Sequence, residues 1–161
     1  MAEEKKIKKK KKLDKTIRVE IIESTPSGFY IQDLEKIEPK KITTKDLEYK
    51  LNIISSTNKE DKLIKIELEI DAYLIKSDSK DSASIFGINS STVFRTPDFE
   101  KVINDKVKVL EPDDFTKKLL NICIGGIRGM LSVNLSNTEL KHVTLPLLDL
   151  SAIEEQEISK K

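Results

Sequence analysis

One histidine and one cysteine in 161 residues leave little for nitrogen or sulfur chemistry to run on. Zinc sites draw on sets of closely spaced Cys and His, and His142 with Cys123 cannot supply one. A nucleophile with an imidazole base would have to use His142, yet no serine sits in a nucleophile-elbow pattern. Cys123 falls among apolar residues at helical spacing and reads as a small core residue. A lone cysteine makes no internal disulfide, which fits a reducing compartment. Carboxylates are plentiful, Glu67 with Glu69 and Asp113 with Asp114 among them. On a strand and in a first helical turn they serve solubility and the helix dipole. Nothing singles out a glycosidase pair or a carboxylate metal site. The expectation is a protein that is not an enzyme, with no catalytic residues, no metal and no cofactor.

The remaining chemical candidate is "ICIGGIRGML", residues 122–131, which holds three of the five glycines. "GGIRG" matches neither the dinucleotide nor the P-loop spacing, and it follows a helical pattern rather than a strand. Glycine within a helix costs up to about 1 kcal/mol against alanine, so close packing is the better reason for it. From "EPDDF", with Pro112, Asp113 and Asp114 suited to a first turn, Phe115, Leu119, Ile122, Gly126, Gly129 and Val133 recur at helical spacing. Leu120, Ile124, Ile127, Leu131 and Leu135 form a second stripe, and Lys118, Asn121, Gly125, Arg128 and Ser132 a polar one. Two apolar stripes predict a helix packed on its own sheet and on another subunit. Ile122, Gly125, Gly126, Arg128 and Gly129 are the candidates for that packing and oligomer interface.

The elements that would carry this helix lie upstream. "TIRVEIIE" alternates as a half-buried strand, and "STPSG" should break it with Pro26 and Gly28. Residues 29–46 show no clear period. "LEYKLNI" alternates again, then "SSTNKED" reads as a turn. "LIKIELEIDAYLI" is the strongest strand, with Ile64, Ile66, Leu68, Ile70, Ala72 and Leu74 on one face. "KSDSKDS" reads as a turn and "ASIFGINSSTVFRT" as a strand with Phe86, Ile88 and Phe94 in phase. The fold class expected is α+β: a four-stranded antiparallel, Greek-key-like sheet, one long C-terminal helix and a short terminal helix. "VTLPLLDL" would be an apolar extended crossover around Pro146. Ser151 and Glu154 have capping-box spacing for the last helix.

Net charge is +1, with 37% hydrophobic and 35% charged residues. The balance argues against nucleic acid as a partner. Basic residues concentrate in "KKIKKKKK", residues 5–12, which reads as a solvated tail. Its salt-sensitive contact with nucleic acid is the weaker alternative. No signal peptide follows it and no window is long and apolar enough for a membrane span, so a cytoplasmic location is expected. The division expected is a tail, residues 1–15, and one domain, residues 16–158.

Residues 120–153, "LNICIGGIRGMLSVNLSNTELKHVTLPLLDLSAI", resemble the carboxy-terminal half of the SecB family of export chaperones and its SecB-like relatives. There a helix ending near an "RG" element leads to an "LxLP"-type segment and a last helix. Arg128–Gly129, Leu145–Pro146–Leu147 and Asp149 onward occupy those places here. "ASIFGINSSTVF" resembles the family's strand before the helix. The resemblance extends over roughly residues 16–158, although only 120–153 carries a motif. It implies a molecular chaperone that binds unfolded or precursor polypeptides in apolar grooves without ATP, as a homotetramer built as a dimer of dimers. The groove candidates are Val143, Leu145, Leu147, Leu148, Leu150 and Ile153. The basic start and the mixed end "EEQEISKK" are unlike the family. They leave protein transport and the export ATPase open, beside an alternative. In that alternative the same fold serves one dedicated partner, for example a toxin–antitoxin or mobile-element protein.

Overall fold

The computed structural model describes residues 17–32, 42–75, 84–102, 114–148 and 150. The expected tail 1–15, the turn 76–82, Pro112, Asp113 and the terminal helix from Ser151 lie outside them. Four strands, β1 (Glu20–Ile31), β2 (Leu47–Asn58), β3 (Leu63–Leu74) and β4 (Ser84–Arg95), precede a single turn α1 (Phe99–Val102) and a long helix α2 (Asp114–Leu135). The sheet order is β1-β4-β3-β2 with every neighbour antiparallel. Strands β2, β3 and β4 form a meander and β1 lies beside β4, which is the expected Greek-key arrangement.

Alternation in the sequence becomes two sheet faces. On one, Ile64, Ile66, Leu68, Ile70 and Ala72 of β3 are buried and pair with Phe94, Thr92, Ser90, Ile88 and Phe86 of β4. Each large apolar side chain buried there contributes about 1.5–3 kcal/mol. Helix α2 covers this face with Leu119, Leu120, Cys123, Ile124, Ile127, Leu131 and Leu135, all buried. Beneath it the hydroxyls of Ser24 and Thr92 lie 3.3 Å apart. Thr92 also hydrogen-bonds the Cys123 side chain, and burial pushes that thiol above its ordinary range. Cys123 is the inert core residue its spacing predicted.

Three elements differ from the expectation. Strand β1 does not stop at "STPSG". It runs through Pro26 and Gly28, with register shifts at Ile21/Glu23 and Pro26/Gly28. An edge strand tolerates proline and bulges because only one of its sides must pair. Strand β2 likewise continues through Ser55–Asn58 before the turn. The two-stripe helix is also redrawn. Phe115 and Leu119 join the second stripe in one broad buried face, while Ile122, Gly129 and Val133 are exposed.

Helix α2 ends where side chains take its last carbonyls. The Ser136 hydroxyl donates to Val133 O at 2.7 Å and the Thr138 hydroxyl to Leu135 O at 2.9 Å. The chain then passes back along α2 as the extended crossover 143–148.

Candidate functional site

The crossover is held by polar contacts to three parts of the chain. Arg128 donates from Nη2 to Pro146 O at 2.7 Å and from Nε to Leu145 O at 3.4 Å. The Tyr49 hydroxyl donates to Thr144 O at 3.4 Å, and Thr144 N–H donates to Thr44 Oγ1 at 3.2 Å. His142 Nε2 donates to Ile42 O at 2.6 Å, because a carbonyl only accepts. The sole histidine is thus a fastening for the approach to β2, and Arg128 is a clamp on the crossover rather than part of a polar helix stripe.

These fastenings settle which crossover side chains face outward. Val143, Leu145 and Leu150 are buried in the core and Leu148 is half-buried against it. Leu147, between Pro146 and Leu148, is 90% exposed. Ile153 lies outside the described residues. Of the described groove candidates, then, the crossover presents Leu147 fully and Leu148 in part.

The interface candidates on α2 divide similarly. Ile122 is 44% exposed and Val133, one turn past Gly129, is 73% exposed. A Cβ at Gly125 or Gly129 would meet nothing within 4 Å, and one at Gly126 would lie 3.9 Å from Ser24 Oγ. Among the described residues no helix glycine of "GGIRG" is needed to admit a close neighbour. The expectation that the sheet demands them is therefore corrected. What remains is an open, small-residue face flanked by Ile122 and Val133. Ser24, at its Gly126 border, lies on the helix side of β1, and so by register do the exposed Ile21 and Ile31.

The other face of the sheet is polar. Lys65, Glu67, Glu69 and Asp71 of β3 stand beside Glu48, Lys50, Asn52 and Ile54 of β2. Lys65 Nζ meets Glu67 at 2.6 Å, Asn52 donates to Glu69 at 3.2 Å, and Lys50 Nζ lies 4.5 Å from the Tyr73 ring centroid. A shallow depression of about 220 Å³ runs between Asn52, Ile54, Glu67, Glu69 and Asn89. On the same face Tyr30 donates its hydroxyl to Asp71 Oδ1 at 2.7 Å, with Ser84 Oγ 2.8 Å away. Its ring crosses Gly87, where a Cβ would collide with both the ring and the Asp71 carboxylate. The latch is not legible in the sequence because its members are scattered along three strands. Glycine inside the strongest part of "ASIFGINSSTVF" was the available signal.

Among the described residues no three Asp, Glu, His or Cys side chains converge as metal ligands do, and no helix is long and apolar enough to cross a membrane. No protein-family model and no curated protein matches the chain. Among solved structures, a Mycobacterium tuberculosis SecB-like chaperone, in complex with a ChAD peptide from the HigA1 antitoxin, is similar at 10% identity. That match has a TM-score of 0.44 and covers 83% of this chain and 90% of the other. A Streptococcus agalactiae protein of unknown function is similar at 15% identity, with a TM-score of 0.36, over 82% of this chain and 99% of its own length.

Proposed function

We propose that the chain is an ATP-independent molecular chaperone that holds unfolded or precursor polypeptides on apolar surface, working in the cytoplasm as a homo-oligomer. The observation that carries the reading is apolar surface left uncovered where the sequence resembles SecB-like chaperones: Ile122 and Val133 on α2 and Leu147 on the crossover. Exposed apolar side chains of this size mark interaction surface when they group together. The mechanism is multivalent and shallow. Several weak apolar contacts along one client chain add up without a deep pocket, and no bond is made or broken. A denatured client diluted into an excess of the protein should scatter less light than the client alone; undiminished scattering overturns the reading.

The homo-oligomer, a dimer of dimers in this proposal, would use the open glycine face. Gly129→Leu adds bulk where the described residues leave it nothing to meet, so the fold should persist while the solution mass falls. A variant with the parent's mass removes the glycine face from the assembly.

A dedicated partner protein is the second reading. It is favoured by the burial of Val143, Leu145 and Leu150, which narrows the crossover's apolar surface to little more than Leu147. One stoichiometric partner in a pull-down, with no suppression of client aggregation, would select it.

A further inference from the structure

The sheet has two edges, β1 and β2, and the hydrogen-bond parity of each can be worked out. In an antiparallel ladder a residue's N–H and C=O point to the same side, and successive residues alternate. Ile75 N–H donates to Asp46 O at 2.9 Å, so position 46 faces β3. The β2–β3 register runs without a shift from Leu47 to Asn58, so residues 48, 50, 52, 54 and 56 also face β3. The main-chain groups of Leu47, Tyr49, Leu51, Ile53, Ser55 and Thr57 therefore point away from the sheet. Among the described residues no backbone group pairs with them.

The same reasoning on β1 gives the opposite result. Gln32 N–H donates to Ile85 O at 2.9 Å, so odd positions of β4 face β1, and their partners Glu23 and Thr25 face β4. Ser24 and Pro26 then face outward, and Pro26 has no N–H to offer there. Bulges on both sides of this stretch break the spacing that an incoming strand would need.

We propose that the free edge of β2 is the docking site of an extended polypeptide segment, which adds to the sheet as a further antiparallel strand. This deepens the chaperone reading and rests on it. The register also states the segment's chemistry. Residues that hydrogen-bond to Tyr49, Leu51 and Ile53 place their side chains on the helix side, beside these half-buried apolar groups. The intervening residues fall on the outer face beside Glu48, Lys50, Asn52 and Ile54, with Glu67, Glu69 and Asp71 one strand further in; on β2 and β3 this face carries these four carboxylates against Lys50 and Lys65. The fitting occupant alternates apolar with basic residues.

The test uses the full chain and a capped octapeptide of alternating leucine and lysine. Binding is followed by anisotropy and by amide hydrogen exchange. The amides of Tyr49, Leu51 and Ile53 should gain protection and that of Ser24 should not. A peptide N-methylated at its leucines keeps every side chain but loses the donors that face β2. It should bind at least about tenfold more weakly, the worth of a few net hydrogen bonds. N-methylation at the lysines, whose donors face away, should cost less than about threefold, below one net hydrogen bond. Equal binding by the leucine-methylated peptide, protection centred on β1, or no binding of the parent peptide each overturns strand addition. If the parent peptide fails to bind while client aggregation is still suppressed, strand addition falls and the chaperone reading stands. Protection at β2 without suppression gives the reverse.

Discussion

Strands β1 and β2 are the two edges of one sheet and have the same length, 12 residues, yet the sequence treats them oppositely. Strand β1 exposes Ile21, Ile22 and Ile31 and by composition looks the stickier. It is nonetheless the poorer template, because Pro26 and two bulges interrupt its outward face. Strand β2 exposes mostly polar side chains, with Ile54 the exception, and keeps an unbroken row of outward main-chain groups. Receptivity of an edge follows from the regularity of its donors and acceptors, with apolarity second. Strand β1 is also fastened at both ends. At its start Thr96 donates to Arg18 O at 2.7 Å and Arg18 N–H donates to Asp98 Oδ2 at 3.2 Å. At its end stands the Tyr30 latch over Gly87.

Breaking these fastenings is the strongest way to blur the contrast. Gly87→Val should have the largest effect. The added side chain occupies the place of the Tyr30 ring, so the ring must leave Asp71 and Ser84. The urea midpoint should fall by the equivalent of about 2–3 kcal/mol, as for other overpacked sites, and exchange at Tyr30 and Gln32, whose amides face β4, should accelerate. An unchanged midpoint would mean that the latch does not hold β1. Thr96→Val comes next. Thr96 is buried, and its loss leaves the Arg18 carbonyl without its donor, at about 1–2 kcal/mol. The faster exchange should then appear at Glu20 rather than at Gln32.

Much of this contrast could be read in advance only in part. Strand β3 was legible because α2 covers one face of it. Burial then forces strict alternation from Ile64 to Ala72, and a pattern that burial enforces is visible in the sequence. The continuation of β1 through Pro26 and Gly28 was not legible, since an edge strand faces no such demand and turn residues are tolerated there. The division of α2 into stripes is only half legible for a related reason. Ile122 and Val133 fit an apolar stripe by spacing, but among the described residues nothing covers them. The direction in which each edge points its donors depends on the register with a neighbour, which no single strand's composition records. The groove candidates Val143, Leu145 and Leu150 share that limit, because apolar content does not say which side of a crossover faces inward.

The tyrosines flanking the two edges offer a smaller, pH-dependent contrast. Burial pushes the Tyr49 phenol up from 10.0 to about 12. Tyr30 is also raised, by burial first and by Asp71, with Ser84 opposing. The neutral phenol is favoured in the fold, while an unfolded tyrosine ionises near its ordinary value. The stabilisation is therefore complete below about pH 10 and is lost as pH rises toward 12. Tyr49→Phe should remove the spectroscopic step near 12 and flatten the alkaline fall in stability. A step that persists in the variant would assign it to another tyrosine.

The smallest change in stability should come from exchanging the one residue that most separates the edges. Pro26→Thr restores an outward donor on β1, and Ser55→Pro removes one on β2. Neither substitution touches a ladder hydrogen bond, because both positions point away from the sheet by the register. Thr has good strand propensity, and Ser55 is only half-buried, so each variant should stay within about 1 kcal/mol of the parent. Association is where they should part. Pro26→Thr opens a template beside Ile21 and Ile22 and should raise concentration-dependent self-association in sedimentation experiments. Ser55→Pro should weaken binding of the leucine–lysine octapeptide and leave self-association unchanged. If Ser55→Pro binds the peptide as the parent does and Pro26→Thr shows no gain in association, main-chain regularity is not what distinguishes the two edges.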